Sequence, residues 1–344
     1  MRKHLASRRS VLSGALAAGA VIAAPNIARA QQKVLWRVQS HWPAASASFT
    51  DSLTIIADLL AERTGGRFKM QLYGSGEIFK GAEIFNAVRR GVVEMGTILA
   101  SYIENDVKSA SIVGGMPGTF QRVWEAAHFL KNLGGEKIFA DDLLKQGVMF
   151  MAEKSYVTEL VVKKPIENLA DFSALTVRST GTLATYLTEA GAKTTATPPG
   201  ELYKALQTGV LDGAHWGASQ GALSMKLYDF AKYHVRPPLC INADGFIFSK
   251  AAFDKLPKDL QQIFTATLEE RYWRRTFDYE HKEELSLQKA IKQSGVHLIQ
   301  FPADVKAKLK EAAKLVIEAE RAKGGTAAEG MARMDIFLAE LGYA

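Results

Sequence analysis

The sequence predicts an α/β fold in two lobes, and three observations carry that reading. Short runs that alternate apolar and polar residues take turns with longer runs at helical spacing. The same rhythm starts afresh near Thr158, which divides the chain into a first lobe over residues 31–154, completed by residues 245–344, and a second over residues 155–244. Lys258 to Ser294 contains neither Gly nor Pro. One continuous helix there would be on the order of 55 Å long and would brace both lobes; two helices meeting at a kink satisfy the same residues.

Residues 1–30 read as a leader rather than as fold. Ser7-Arg8-Arg9-Ser10 sets adjacent arginines before an apolar run from Ala15 to Ala24, and Ala28-Arg29-Ala30 puts small residues where a signal peptidase cuts. The run is too short to span a bilayer and is broken by Gly19 and Pro25. The pattern predicts export by the twin-arginine route, with a mature chain from about Gln31; an ordinary secretory leader would reach the same compartment. The leader holds five basic residues and no acid, so 38 basic residues remain against 36 acidic ones, a net charge of +2. No Lys/Arg-rich stretch carries interleaved aromatics, which argues against a nucleic-acid partner. Cys240 is the single cysteine, so no intrachain disulfide forms and a sizeable core must hold the chain together.

The mature elements follow in order. Val34 to Ser40 alternates as a strand, and His41-Trp-Pro-Ala-Ala-Ser46 is a loop. Phe49, Leu53, Ile56, Ala57 and Leu60 fall on one helical face, stopped by Thr64-Gly-Gly66. Phe68 to Tyr73 is a strand, Ala82 to Arg90 a helix, and Met95 to Ala100 a buried strand. Helices cover Arg122 to Asn132 and Glu136 to Lys145, and a strand from Val148 to Ala152 heads for the second lobe. There, Thr158 to Val162, Leu175 to Val177 and Thr194 to Thr197 read as strands, and Thr182 to Ala190, Gly200 to Thr208 and Gly217 to Tyr228 as helices. Strands at Tyr233 to Arg236 and Gly245 to Phe248 lead back.

The chemistry gathers at strand ends. In Leu175-Thr-Val-Arg-Ser-Thr-Gly181 a strand-like run ends in Arg178 and a turn opens a helix. A guanidinium beside the free N–H groups of a helix start can grip a carboxylate at two points, although most arginines are simply surface or ion-paired residues. Asp212-Gly-Ala-His-Trp216 places His215 and Trp216 where ligands of open α/β sheets sit; both are also ordinary core residues. Trp216 could cover an apolar ligand face and His215 could donate a hydrogen bond. His41, Trp42 and Tyr102 come from strand-end loops of the first lobe, and Ser155 and Tyr156 lie where the chain crosses. Gly217-Ala-Ser-Gln-Gly221 matches the nucleophile elbow of serine hydrolases, with Ser219 as nucleophile and His281 or His297 downstream, but no HGGG-type oxyanion element precedes it. The histidines are scattered and no metal-binding or dinucleotide motif occurs, so no metal or cofactor is expected.

Arg178-Ser-Thr-Gly, Gly191-Ala, Glu201-Leu-Tyr-Lys-Ala-Leu-Gln-Thr-Gly209 and Leu211-Asp-Gly213 resemble the signature of solute-binding proteins of tripartite ATP-independent periplasmic (TRAP) transporters. Arg89-Arg-Gly-Val-Val-Glu-Met-Gly96 and Ala251-Ala-Phe-Asp-Lys-Leu-Pro257 resemble further family motifs, in the right order. The resemblance implies a two-lobed periplasmic binding protein with hinge strands and a long helix, which binds a small carboxylate on Arg178, performs no catalysis and presents its ligand to membrane subunits. The 2-oxo-acid branch tends to carry an acid–aromatic pair, the acid holding a metal ion. Here His215-Trp216 keeps the aromatic and loses the acid, and Asn242 stands near the second acid. The expectation is metal-free binding of a monocarboxylate. A secreted hydrolase and a ligand-sensing subunit are the alternatives.

Overall fold

The computed structural model describes residues 33–343; the leader, with its arginine pair and cleavage site, lies outside them. Nine strands form one mixed sheet: β1 (Val34–Gln39), β2 (Phe68–Tyr73), β3 (Met95–Leu99), β4 (Val148–Val162), β5 (Thr176–Arg178), β6 (Lys193–Thr195), β7 (Gly213–Ala214), β8 (Tyr233–Ser249) and β9 (His297–Gln300). Their order is β2-β1-β3-β8-β4-β7-β5-β6, with β9 beside β8. At one end β1 runs parallel to β2 and β3. At the other, β5 runs parallel to β6 and β7. The long antiparallel pair β4–β8 belongs to both ends and joins them.

Those two strands correct the sequence reading, which gives four short ones. The register of β4 against β8 shifts between Ala152 and Lys154 and again between Thr158 and Leu160. Each irregularity breaks the period-2 pattern by which a strand is recognised. Pro237 and Pro238 fall in β8 at the second irregularity, between the paired residues Arg236 and Cys240, where no ladder donor is required of them.

Lys258–Ser294 is one helix of 37 residues, which settles the choice left open above. It buries Leu260, Phe264, Leu268, Tyr272, Arg275, Tyr279, Glu283 and Leu287, a stripe at intervals of three and four. It packs on the helix Ile55–Arg63 near one sheet end, on β4 in the middle and on the helix Ser219–Ser224 near the other. Trp36, Phe68, Phe248 and Phe264 form an aromatic cluster with ring centroids 5.0–6.4 Å apart under its first turns. The helix expected from Gly217 to Tyr228 shrinks to Ser219–Ser224 and a separate turn, Leu227–Asp229. Gly217 at φ +67° and Lys226 at φ +55° are left-handed and cannot continue a helix. Residues unassigned from the sequence form β7, β9 and two C-terminal helices, Ala303–Ala322 and Gly325–Glu340. Among the described residues, no helix is long and apolar enough to cross a membrane.

Candidate ligand-binding site

Arg178 ends β5, three residues ahead of the helix Gly181–Glu189. It is only 2% exposed. Its Nε donates to the carbonyl of Thr197 at 3.3 Å and its Nη2 to Tyr102 Oη at 3.3 Å. The guanidinium carbon lies 5.3 Å from the centroid of the Trp216 ring. Among the described residues no carboxylate forms an ion pair with it. A buried cation held by one carbonyl, one phenol and an aromatic face is short of a counter-charge, a costly state for a folded protein.

Its neighbours do not offset that charge. His215, beyond the end of β7, shares a hydrogen bond of 2.9 Å between its Nε2 and Ser179 Oγ. Burial, reinforced by the Arg178 charge, pushes His215 down to about 3, so it is a neutral imidazole near neutral pH. His41, just after β1, is fixed by Thr97 Oγ1, which lies 2.8 Å from His41 Nδ1. Burial pushes it down to about 4 despite the nearby Asp244 carboxylate. The His41 ring leans on Trp42 at 4.7 Å and meets Tyr102 edge-on at 5.9 Å.

The opposite wall comes from β4 and β8, and its central charges were not anticipated. Lys154 is 1% exposed; its Nζ donates to Glu153 Oε2 at 2.8 Å and to Asp244 Oδ2 at 2.7 Å. Tyr156 donates from Oη to Asp244 Oδ1 at 3.0 Å. Trp42, Tyr156 and Tyr279 turn ring faces toward the ammonium, 4.6–5.0 Å from centroid to Nζ. The bulge between Ala152 and Lys154 lets the consecutive side chains of Glu153 and Lys154 meet. Charged residues inside otherwise apolar strands were the available signal, since such burial demands a reason.

Eight of the nine residues singled out from the sequence converge on this cleft: His41, Trp42, Tyr102, Tyr156, Arg178, His215, Trp216 and Asn242. Asn242 donates from Nδ2 to Thr158 Oγ1 at 2.9 Å. Ser155 is the exception. Its side chain points to the other face of β4, where its Oγ is 2.7 Å from Tyr272 Oη. Alternation along a strand lets only one of Ser155 and Tyr156 face the cleft. The space between the walls is narrow, about 30 Å³. A roomier groove of about 660 Å³ runs along β8 and the helix Ala303–Ala322, but its charges, Lys306, Lys310 and Lys314, are solvated and desolvate nothing.

Ser219 is no nucleophile. It is fully buried, and its Oγ donates to the carboxylate of Glu283 at 2.6 Å and to the Glu283 carbonyl, with no histidine among its partners.

The family model for bacterial extracellular solute-binding proteins, family 7, matches residues 39–323. The chain belongs to this family. A monocarboxylate 2-oxoacid-binding periplasmic protein from Nostoc sp. is 27% identical over 245 residues, covering 69% of this chain and 66% of that relative, slightly under two thirds of its length. A TRAP transporter solute-binding protein from Bordetella bronchiseptica, with co-purified calcium and picolinate, superposes with a TM-score of 0.84 at 20% identity, covering 90% and 93% of the two chains. A TRAP periplasmic solute-binding protein from Pseudoalteromonas atlantica, with bound sodium and pyruvate, gives 0.83 at 21% identity over 90% and 95%. At these identities the superpositions establish the shared two-lobed α/β fold. Family 7 members are extracellular receptors, and nothing about Ser219 in this one supports a hydrolase.

Proposed function

We propose that this protein binds a small monocarboxylate in the periplasm, reached by the twin-arginine route, and delivers it to TRAP-type membrane subunits without catalysing a reaction. The observation that carries this reading is Arg178, buried at 2% exposure and lacking a protein carboxylate. A ligand carboxylate would supply the missing charge in a setting of low dielectric, where the pair is strong. The charge count favours one carboxylate. Lys154 and Arg275 are set against Asp244 and Glu153, the last lying 3.5 Å from Arg275 Nε. His41 and His215 are neutral, so Arg178 leaves one positive charge over.

Opening and closing assigns residues 31–154 with 245–344 to one lobe and 155–244 to the other, with β4 and β8 as the hinge. Contacts across the cleft itself include Tyr102 on Arg178, Ser101 Oγ and Thr180 Oγ1 at 3.0 Å, and Gln220 Nε2 on Asp51 Oδ2 at 3.2 Å, and opening would break them. A ligand touching both walls favours this closed arrangement. The experiment is a thermal-shift comparison of pyruvate and picolinate with picolinamide, which keeps the ring of picolinate and loses its charge. The acids should raise the unfolding temperature and the amide should not; equal shifts for picolinate and its amide would overturn the reading.

A further inference from the structure

We infer that the Lys154 ammonium is a built-in cation of the ligand site, taking a polar acceptor on the carbon next to the ligand's carboxylate, so that binding needs no metal ion. The inference rests on the reading of the cleft as a carboxylate site and adds which second group the ligand carries. Picolinate and pyruvate, bound in two structural relatives that also hold calcium and sodium respectively, both place an acceptor next to the carboxylate, a ring nitrogen in one and a keto oxygen in the other. Such a pair of atoms can chelate a metal ion. The residues here do not suit a metal. Asp244 is the one carboxylate among the described residues lining the cleft, and both its oxygens are engaged, Oδ1 by Tyr156 and Oδ2 by Lys154. His41 Nε2 stands 3.9 Å from Asp244 Oδ1 and is the nearest imidazole to it. A cation placed on Asp244 would also meet the ammonium of Lys154 at close range and be repelled.

Lys154 has what a metal would provide. It is a fixed positive charge, 1% exposed, anchored by two carboxylates and enclosed by three aromatic faces. Two of its three N–H donors are committed to Glu153 and Asp244, and among the described residues the third has no oxygen partner. Lys154 and Arg178 line the same narrow space, so one small molecule can touch both. Arg178 would take the carboxylate and Lys154 the adjacent oxygen or nitrogen.

The test compares picolinate with benzoate, its analogue lacking the ring nitrogen, by calorimetry on the wild type, Lys154→Met and Arg178→Met. The wild type should prefer picolinate by about tenfold or more, with the same affinity in excess chelator and in millimolar calcium. Lys154→Met should reduce that preference to within about twofold, whereas a purely structural lysine would weaken both probes alike. Should Lys154→Met fail to fold, the lysine side-chain ammonium NMR signal of the wild type reads the same contact, and it should shift with picolinate and not with benzoate. A preference that survives in Lys154→Met, an ammonium signal unmoved by picolinate, or affinity that needs calcium would overturn the inference. If Arg178→Met still loses both probes in that event, the carboxylate reading stands. If the wild type binds neither acid, or Arg178→Met binds both, that reading falls and takes this one with it.

Discussion

Acidifying the protein from neutrality tests the burial of the two cleft histidines. His215 is held down to about 3 and His41 to about 4, against an ordinary value of 6.5. Both are lowered, so the folded state refuses protons that the unfolded chain accepts. The stabilisation from the neutral rings is therefore complete above pH 6.5 and is lost as the pH falls below it, down to the folded-state values. At about pH 5 the unfolded chain gains about 2 kcal/mol per histidine from protonation, about 4 kcal/mol for the pair. That is a large share of the roughly 5–15 kcal/mol that holds a domain folded. The assay is urea unfolding at about pH 7 and about pH 5, for the wild type and for the double variant His41→Gln/His215→Gln. Each protein is compared with itself across pH, so the baseline cost of losing the Thr97 and Ser179 hydrogen bonds cancels. The wild type should lose about 4 kcal/mol more than the double variant over this interval. Equal losses in the two proteins would refute the claim that these imidazoles are kept neutral by burial.

Three further outcomes follow from the same geometry. Trp216→Leu removes the ring 5.3 Å from the Arg178 guanidinium and should weaken picolinate binding about tenfold by calorimetry, within the usual range for a desolvated cation–π contact. Ser219→Ala should leave ligand affinity unchanged and lower stability by about 1–3 kcal/mol in urea titrations, because Glu283 loses a donor while buried; lost binding would point to a direct role for Ser219. Gly217→Ala combines φ +67° with a Cβ 2.7 Å from Tyr279 Oη and should cost about 1–3 kcal/mol of stability; a neutral substitution would show that the loop can move off Tyr279 of the long helix.

Much of the site was legible because its residues lie at punctuated strand ends. Arg178 before Ser-Thr-Gly and His215-Trp216 after Asp-Gly are set off by turn residues, and sheet topology brings such ends together. The long helix was legible as an uninterrupted stretch, and its continuity comes from packing in turn on the helix Ile55–Arg63, on β4 and on the helix Ser219–Ser224, which no local pattern states. What stayed hidden sits on the two long strands. Their register shifts erase the alternation that would have revealed them, and the same irregularity moves Lys154 into the cleft. The sequence offers Ser155 and Tyr156 as a pair where the chain crosses, but neighbours on a strand face opposite sides and Ser155 turns to Tyr272. Asp244, two residues from Asn242, carries the charge at this wall. Its apolar surroundings, Phe246, Ile247 and Phe248, were the clue that burial of a carboxylate there serves a purpose.

Arg178→Met, made in the protein without ligand and titrated with picolinate, bears most directly on the central claim that this guanidinium is kept for the ligand. Breaking a buried charge pair costs about 3–5 kcal/mol, so affinity should fall by about a hundredfold or more. Because Arg178 has no ion-pair partner of its own among the described residues, the ligand-free variant should unfold at the same urea concentration as the wild type or a higher one. Retained affinity, or a large loss of ligand-free stability, would contradict the account.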